Sequence, residues 1–364
     1  MNLFPELNKS YTQDHMTARE AQRFAEFIAF GPFVFQVSRI MLKYGVLDKL
    51  REKELTIEEL SEATSLSRYA VKVLLEASLS IGTVLINPET ERYSLSKVGW
   101  FLLNDPATRV NVDFVHDVNY EGFFHLEEAL KEGYPAGLKH FGDWPTIYEA
   151  LSSLPETVKN SWFRFDHFYS NSSFDEALQT VFSLHPSHIL DVGGNTGLWA
   201  RRCVEYDSAV EVTIVDLPQQ LAMMRDAISG TTGEERIHGY PMNLLSSGAV
   251  FPKELNPDVI WMSQFLDCFS EDEILSILRR VSTIMRPDTR LCIMETYWDR
   301  QRFEPAAFCL TMTSLYFTAM ANGNSKMYHS DDMIRLIDSA SLEVESIHDG
   351  LGQGHSIMIC KTKK

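Results

Sequence analysis

The chain has few cysteines, and none of them are arranged to bind a metal or to form a disulfide framework. Its 364 residues contain five cysteines, an odd number, and no C-x-x-C pair. Scattered cysteines of this kind are typical of reduced thiols in the cytosol. The sequence therefore predicts a cytoplasmic protein without disulfides. The acidic residues show no cluster with metal-ligand spacing, so we expect no metal site.

Basic residues are also scarce, since 33 Lys and Arg stand against 50 Asp and Glu, a formal net charge of −17. Nucleic acids and anionic membranes bind basic surfaces, so we expect neither as a partner. A long apolar run is missing too. The first apolar run in the chain, residues 27–37, contains Gly31-Pro32 and is too short to span a bilayer. We interpret it as a buried helix, in the core or in a subunit interface, and the polar start of the chain predicts no secretory signal.

The N-terminal third reads as helices followed by a small hairpin. A helix is predicted over residues 38–50, a capping box opens the next at Thr56, Ser67 caps a third, and two short strands follow over 84–95. This order predicts a winged helix over residues 1–104. DNA binding is disfavoured because residues 43–103 carry eight basic and nine acidic side chains. Packing and dimerisation are the expected roles.

Residues 105–180 read as a helical connector, and residues 181–364 as a catalytic domain. The connector contains an aromatic run over 161–169, and Trp162 and Phe163 are candidates for an acceptor pocket. Tyr316 and Met320, in an apolar stripe over 308–320, are further candidates, and core packing is the alternative for all four. From residue 186 strands and helices alternate, which predicts a parallel sheet covered by helices. The predicted strands are 188–192, 211–216, 258–264, 289–295, 342–348 and 355–361, and a capping box, Ser270-Glu-Asp-Glu273, predicts the start of the helix after the third strand.

An apolar strand over 188–192 runs into the turn Gly193-Gly194-Asn195-Thr196-Gly197, and a helix follows. Asp216 ends the next apolar strand, 19 positions after Gly197. Glycines allow close backbone approach to a ligand, a helix N-terminus favours anions, and an acid after the second strand can bind ribose hydroxyls. The pattern predicts a nucleotide site at the carboxyl ends of two parallel strands.

The dinucleotide pattern G-x-G-x-x-G is incomplete here, because Val192 occupies its first glycine position. Asp191, just before the glycines, can accept hydrogen bonds from an ammonium group. A ligand with a ribose, an ammonium and a carboxylate but no pyrophosphate therefore fits better than NAD. S-adenosylmethionine (SAM) has this set of groups, so we expect SAM as cofactor and S-adenosylhomocysteine as product.

With these pieces in place, the chain resembles the class I SAM-dependent methyltransferases and, more narrowly, the small-molecule O-methyltransferases of plants and bacteria. The resemblance covers nearly the whole chain. Residues 44–99 are similar to the family's winged-helix dimerisation domain, 191–197 to its glycine motif, Asp216-Leu-Pro to its ribose motif and 262–273 to its catalytic strand and helix start. It implies an α/β Rossmann-like domain that follows a mainly α winged-helix domain, with SAM as cofactor in a homodimer.

The resemblance also implies roles for single residues. Asp191 and the backbone of the glycine turn should hold the methionine end of SAM, Asp216 the ribose, and Leu217 the adenine. Asn243 stands where the family has an aspartate, and its amide can still accept from the adenine amino group. The full set of expected cofactor contacts is Asp191, Gly193, Gly194, Gly197, Asp216, Leu217, Asn243, Leu244 and Ser263.

The resemblance breaks at the general base, which in the family is a histidine in a Leu-His-Asp-Trp stretch. This chain has Leu266-Asp267-Cys268-Phe269, while Glu295 keeps the place of a helper carboxylate. A second helper glutamate is missing near Met327. An ordinary aspartate is about 2.6 pKa units less basic than histidine, although apolar neighbours can raise its pKa. Asp267 is thus a base, a group that only positions an acidic acceptor, or a helix cap in a protein that has lost hydroxyl methylation.

We predict a cytoplasmic homodimer that transfers a methyl group from SAM to a hydroxyl of a small aromatic or apolar metabolite by in-line displacement. Asp267 and Glu295 are the predicted catalytic residues. The alternatives are a SAM-binding protein that has lost O-methyl transfer, an enzyme that methylates carbon or nitrogen, and a DNA-binding regulator.

Overall fold

The computed structural model describes residues 3–151 and 153–363, which divide into two compact units. Unit 1 comprises Met1–Gln13, Asn119–Lys159 and Asp166–Lys364, and it begins with helix α1 (Pro5–Thr12). Unit 2 comprises Asp14–Val118 and Asn160–Phe165. The three-part division at residues 104 and 180 stays a prediction.

Unit 2 has the predicted order of helices followed by a hairpin. The Thr56 hydroxyl accepts from the Glu59 backbone N–H while the Glu59 carboxylate accepts from the Thr56 N–H, so the predicted capping box is present. The core of the unit contains the fully buried Leu47, Leu60 and Leu75. Its elements are α2 (Ala18–Ala29), α3 (Gly31–Lys43), α4 (Val46–Glu52), α5 (Ile57–Thr64), α6 (Arg68–Ile81), β1 (Val84–Asn87), β2 (Arg92–Leu95), α7 (Lys97–Asn104) and α8 (Pro106–Phe114).

Two expectations for unit 2 are corrected. The helix predicted over 38–50 is two helices, because Gly45 between α3 and α4 has a φ of +69°, which breaks helical geometry. The apolar run over 27–37 is not buried in the unit's core, since Phe27 and Phe33 are 42% and 69% exposed. No single helix in the described part of the chain has the length and apolarity to cross a membrane. Helices α2 and α3 meet that test only as a pair bent by 74°.

Unit 1 is an α/β layered domain around a seven-stranded sheet. Besides α1, the α-helices of this unit that precede the sheet are α9 (Leu126–Glu132), α10 (Ile147–Ala150), α11 (Glu156–Asn171), of which residues 160–165 belong to unit 2, and α12 (Phe174–Phe182). The alternating part contains β3 (His188–Val192), α13 (Leu198–Tyr206), β4 (Glu211–Asp216), α14 (Pro218–Ile228), β5 (Ile237–Pro241), β6 (Val259–Ser263), α15 (Glu271–Ser282), β7 (Arg290–Glu295), α16 (Glu304–Tyr316), α17 (Ser330–Ser339), β8 (Leu342–Leu351) and β9 (His355–Thr362).

The strand order is β5-β4-β3-β6-β7-β9-β8, and the order reverses between β3 and β6. The first five strands are parallel, as predicted, but β9 is antiparallel to both β7 and β8. The expectation of a wholly parallel sheet is therefore wrong at this edge. Only a short turn joins β8 to β9, and a chain can reverse in so few residues only into an antiparallel strand.

Alternate residues of the strands build two hydrophobic layers, one on each face of the sheet. On β3, Leu190 joins the layer that contains α15 and α17, and Ile189 joins the layer that contains α12, α13 and α14. Helix α15 begins with the predicted capping box of Ser270 and Glu273. This packing leaves the carboxyl ends of β3, β4, β6 and β7 at one edge of the sheet, where ligands bind in folds of this class.

Candidate active site

The turn after β3 has the backbone shape that its glycines predict. Gly193 and Gly197 have φ values of +79° and +78°, in the left-handed region that favours glycine. A Cβ on Gly193 would lie 2.2 Å from the Phe265 ring. Asn195 is also left-handed, with a φ of +48°, and asparagine tolerates this conformation. The turn therefore leaves a narrow backbone cradle at the start of α13.

Asp216 closes this cradle from the end of β4. Its Oδ2 accepts from the Asn195 backbone N–H at 2.9 Å, and its Oδ1 accepts from the Leu217 N–H at 2.7 Å. Burial raises the pKa of this carboxyl, and the two backbone hydrogen bonds oppose that rise. Each carboxylate oxygen has a further lone pair, so Asp216 can accept from two hydroxyl groups without releasing the turn.

Asp191 lies at the end of β3 and is only 2% exposed. Its Oδ2 is buried and has no hydrogen-bond partner among the described residues. Burial, and then the neighbouring charge of Asp216, raise the pKa of Asp191 to about 8. An unpartnered buried carboxyl oxygen is costly unless a ligand satisfies it, and an ammonium group would supply both charge and donors.

The other predicted cofactor residues lie along the same edge. The Met242 backbone N–H donates to the Asp216 carbonyl at 2.9 Å, which fixes the segment after β5 beside the end of β4. Asn243 is exposed, and its Oδ1 accepts from the Leu245 N–H at 2.9 Å. Leu244 is buried, and Ser263 ends β6 next to β3. The structure thus brings the predicted set to one sheet edge, and each residue's contact with SAM stays a prediction.

Asp267 lies in a short 3-10 helix, Leu266–Cys268, between β6 and α15. Its side chain is buried, with the residue 6% exposed. Burial raises the pKa of Asp267 to about 7, the charge of Asp166 adds to the rise, and a hydrogen bond from Cys268 opposes it. The sequence expectation that apolar neighbours raise this pKa agrees with the structure. A carboxylate with a pKa near the working pH is suited to general base catalysis.

Glu295 ends β7 beneath this 3-10 helix and is 2% exposed. Its Oε1 accepts from the backbone N–H groups of Phe265 and Leu266 at 3.1 and 2.9 Å. Its Oε2 is buried and has no hydrogen-bond partner in the part of the chain that the structure describes. Burial and the charge of Asp267 raise the pKa of Glu295 well above its usual range. Through its two backbone hydrogen bonds Glu295 fixes the segment that leads into Asp267.

Three side chains near Asp267 were not found by sequence reasoning: Asp166 on α11, Tyr148 on α10 and Cys268. Cys268 Sγ donates to Asp267 Oδ1 at 3.5 Å, and burial, followed by the charge that Cys268 carries when ionised, raises the pKa of the Tyr148 hydroxyl. A signal for Asp166 was available, because it is a lone acid inside the aromatic run over 161–169. Nothing in the sequence around Tyr148 indicates that this residue interacts with Cys268 and Asp267.

The four predicted acceptor-pocket residues fall into different units. Trp162 and Phe163 lie in unit 2, where their rings meet edge to face with centroids 5.1 Å apart. Tyr316 and Met320 lie in unit 1 and are 5% and 0% exposed. A Cβ on Gly122 would lie 2.2 Å from the Met320 sulfur, so Met320 packs tightly within its own unit. Contact of any of the four with an acceptor stays a prediction.

No group of three or more His, Cys, Asp or Glu side chains in residues 3–151 and 153–363 has the arrangement of a metal site. The carboxyl groups of Asp166 and Glu295 each interact electrostatically with that of Asp267. The three do not form such a group.

Comparison with known proteins gives two family matches. The model of the Dimerisation2-like domain matches residues 22–93, and the model of the O-methyltransferase domain matches residues 123–340. Among curated relatives, norreticuline-7-O-methyltransferase of Papaver somniferum is 24% identical over 268 residues, which cover 72% of this chain and 70% of the relative.

Solved structures share the fold. The apo form of the SAM-dependent methyltransferase SibL aligns with a TM-score of 0.70 and 22% identity, over 93% of this chain and 98% of that one. Human N-acetylserotonin methyltransferase in complex with SAM aligns with a TM-score of 0.65 and 17% identity, over 96% of this chain and 100% of that one. These likenesses confirm the predicted fold class of a Rossmann-like catalytic domain with an N-terminal helical domain.

Proposed function

The chain belongs to the O-methyltransferase family, whose members use SAM, and we propose that it methylates a hydroxyl of a small aromatic or apolar metabolite with Asp267 as general base. The observation that carries this proposal is the buried Asp267 carboxyl, whose pKa is raised to about 7. It lies after β6, at the same sheet edge as the cradle formed by β3 and β4. The relative from Papaver somniferum, by its name, methylates a hydroxyl of norreticuline.

The residues at the ends of β3 and β4 fit SAM. The buried, unpartnered Oδ2 of Asp191 would accept from the ammonium of the methionine part. The backbone at Gly193 would lie against the ligand without a side chain in the way, and Asp216 would accept from the ribose hydroxyls. When bound, SAM supplies a methyl group that is electrophilic because its sulfur is positively charged. The protein's own contribution is alignment and proton removal.

Proton removal is the demanding part for a phenol, whose pKa is about 10. With a pKa of about 7, Asp267 falls short of the phenol by about 3 units, or about 4 kcal/mol. An exposed aspartate would fall short by about 6 units, or about 8 kcal/mol. Burial therefore recovers about half of the gap between an exposed aspartate and the phenol, and it offsets the difference of about 2.6 pKa units by which an ordinary aspartate is less basic than histidine.

The protein should form methylated product when it is incubated with isotope-labelled SAM and a panel of phenols and hydroxyquinones. Mass spectrometry identifies the product, and fragmentation shows whether the methyl group is on oxygen, carbon or nitrogen. Asp216→Ala is the control without a functional ribose site. Absence of product across the panel, while calorimetry shows that SAM binds, would favour a protein that has lost hydroxyl methylation. A product methylated on carbon or nitrogen would contradict the assigned acceptor atom.

We further propose that the protein is a homodimer held together through helices α2 and α3. The residues matched by the Dimerisation2-like model include these helices from residue 22 onward. Helix α2 contains no buried residue. Its exposed side chains Phe24, Phe27 and Ile28, together with Phe30 and Phe33, are 42–69% exposed. Isolated exposed apolar residues are ordinary, but a patch of five supports a contact with a second copy of this chain.

The double variant Phe27→Asp, Ile28→Asp should shift the protein from dimer to monomer in size-exclusion chromatography with light scattering. Two charges in an apolar interface would each lose hydration without gaining a partner. Tyr69→Asp is the matched control, because Tyr69 is an aromatic residue that is 78% exposed in the same unit. A double variant that keeps the dimeric mass would contradict this interface.

A further inference from the structure

We infer that Cys268 is a positioning residue for the transfer reaction: its thiol donates to the Asp267 carboxyl at Oδ1 and leaves the other carboxyl oxygen for the acceptor hydroxyl. This inference rests on the proposed function, since it assigns a purpose to the orientation of the proposed base.

Several hydrogen bonds hold the backbone around Cys268 in place. The Cys268 carbonyl accepts from Asn322 Nδ2 at 2.7 Å, and the Cys268 N–H donates to the Phe265 carbonyl at 3.2 Å. The Phe269 carbonyl accepts from the Tyr328 hydroxyl at 2.6 Å. Because these bonds hold the residues on either side of the Cys268 side chain, its sulfur stays within reach of Asp267 Oδ1 at 3.5 Å.

The direction of this hydrogen bond follows from the protonation of its donor. Burial and the charge of Asp267 raise the pKa of the Cys268 thiol well above its usual range, so Cys268 keeps its proton. The thiol therefore donates to the carboxylate throughout the neutral pH range. Burial also raises the pKa of the neighbouring Tyr148 hydroxyl on α10, so this group stays uncharged in the same range.

Several other ionisable groups face Asp267 from the surrounding elements. Asp166 comes from α11, Glu295 from the end of β7, Tyr297 from the segment after it and Tyr328 from the segment before α17. The charge of Asp166 raises the pKa of Asp267, whereas the Cys268 hydrogen bond stabilises the carboxylate and lowers it. Loss of the thiol donor alone should therefore raise the pKa of Asp267 further.

The test is the acidic limb of kcat/KM against pH for three proteins: wild type, Cys268→Ala and Cys268→Ser. We expect Cys268→Ala to move the limb upward by about one pH unit, because the carboxylate loses a donor. Cys268→Ser should keep the limb near its wild-type position, since a serine hydroxyl also donates. Cys360→Ala, which truncates a buried cysteine of β9, is the matched control.

A limb that stays in place in Cys268→Ala, or that moves equally in Cys268→Ala and Cys268→Ser, would overturn the inference. A second readout does not depend on turnover. The carboxyl carbon of Asp267 can be titrated by NMR in SAM-free protein labelled at aspartate, with Asp267→Asn identifying its signal, and Cys268→Ala should raise its midpoint.

The two readouts separate this inference from the proposed function. Turnover that survives in Asp267→Asn overturns the base role and with it the purpose given to Cys268. Turnover that is lost in Asp267→Asn, combined with an Asp267 midpoint that Cys268→Ala leaves unchanged, overturns the inference alone. If Cys268→Ala does not fold, Cys268→Val replaces it in both readouts, because valine fills more of the space of the thiol and also lacks the donor.

Discussion

Asp267→Asn should lower kcat for hydroxyl methylation about 10²- to 10⁴-fold, the usual range for loss of a general base. The amide has nearly the shape of the carboxylate but cannot take a proton. Affinity for SAM should change little, because the cofactor residues lie on β3 and β4. Wild-type kcat/KM should fall below about pH 7, as protonation of Asp267 removes the base, and this limb should disappear in the variant. Steady-state kinetics across pH measure the loss of turnover and the pH dependence of kcat/KM, and calorimetry measures the affinity for SAM.

The controls for this variant come from the chain and from its family. Asp226→Asn changes an exposed carboxylate of α14 in the same way and should leave turnover unchanged. Asp267→His installs the base that the family uses, and should keep a substantial part of the activity that Asp267→Asn loses. Near-normal turnover in Asp267→Asn would show that the acceptor needs no proton acceptor at this position.

Asp216→Ala should weaken SAM binding about 10²- to 10⁴-fold. Two ribose hydroxyls lose a charged acceptor, at about 1.5–3 kcal/mol for each hydrogen bond. The truncation also frees the Asn195 N–H, which Asp216 Oδ2 binds at 2.9 Å, and so loosens the glycine turn. Isothermal titration calorimetry with SAM or S-adenosylhomocysteine gives the dissociation constants.

Asp216→Asn separates these two effects. Its amide oxygen can still accept from one of the two backbone N–H groups, of Asn195 and Leu217, that the carboxylate binds. The negative charge and the second acceptor are gone, so affinity should fall, but less than in Asp216→Ala. The thermal unfolding midpoint without ligand should also fall less in Asp216→Asn than in Asp216→Ala. Unchanged affinity in Asp216→Ala would place the ribose elsewhere and contradict the cofactor site.

The sequence predicted the parts of the fold that depend on local pattern. The capping boxes at Thr56 and Ser270 and six of the seven sheet strands follow from spacing and composition, and the structure confirms them. Strand β5 was missed because Ile237–Pro241 is polar and mostly exposed at the sheet edge. The break at Gly45 was missed because one glycine in an apolar stripe does not show whether its φ is positive.

The residues of the candidate site also divide into those that the local sequence pattern predicts and those that it does not. Asp191, the glycines and Asp216 were found because they follow two strands at a spacing that the cradle requires. The neighbours of Asp267 were not, since Tyr148 and Asp166 lie more than 100 positions away in the chain. The pKa of Asp267 depends on these neighbours and on burial, and neither can be obtained from the Leu-Asp-Cys-Phe stretch alone. The sequence identified the unusual aspartate at this position, and the fold supplies the burial that raises the pKa of its carboxyl.

A crystal structure with S-adenosylhomocysteine and a methyl acceptor tests the central claim most directly. The account predicts the acceptor oxygen within hydrogen-bond distance of an Asp267 carboxyl oxygen, about 2.6–3.2 Å, while Asp216 contacts the ribose. An acceptor hydroxyl that contacts a different basic group, with the Asp267 carboxyl turned away from it, would contradict the account.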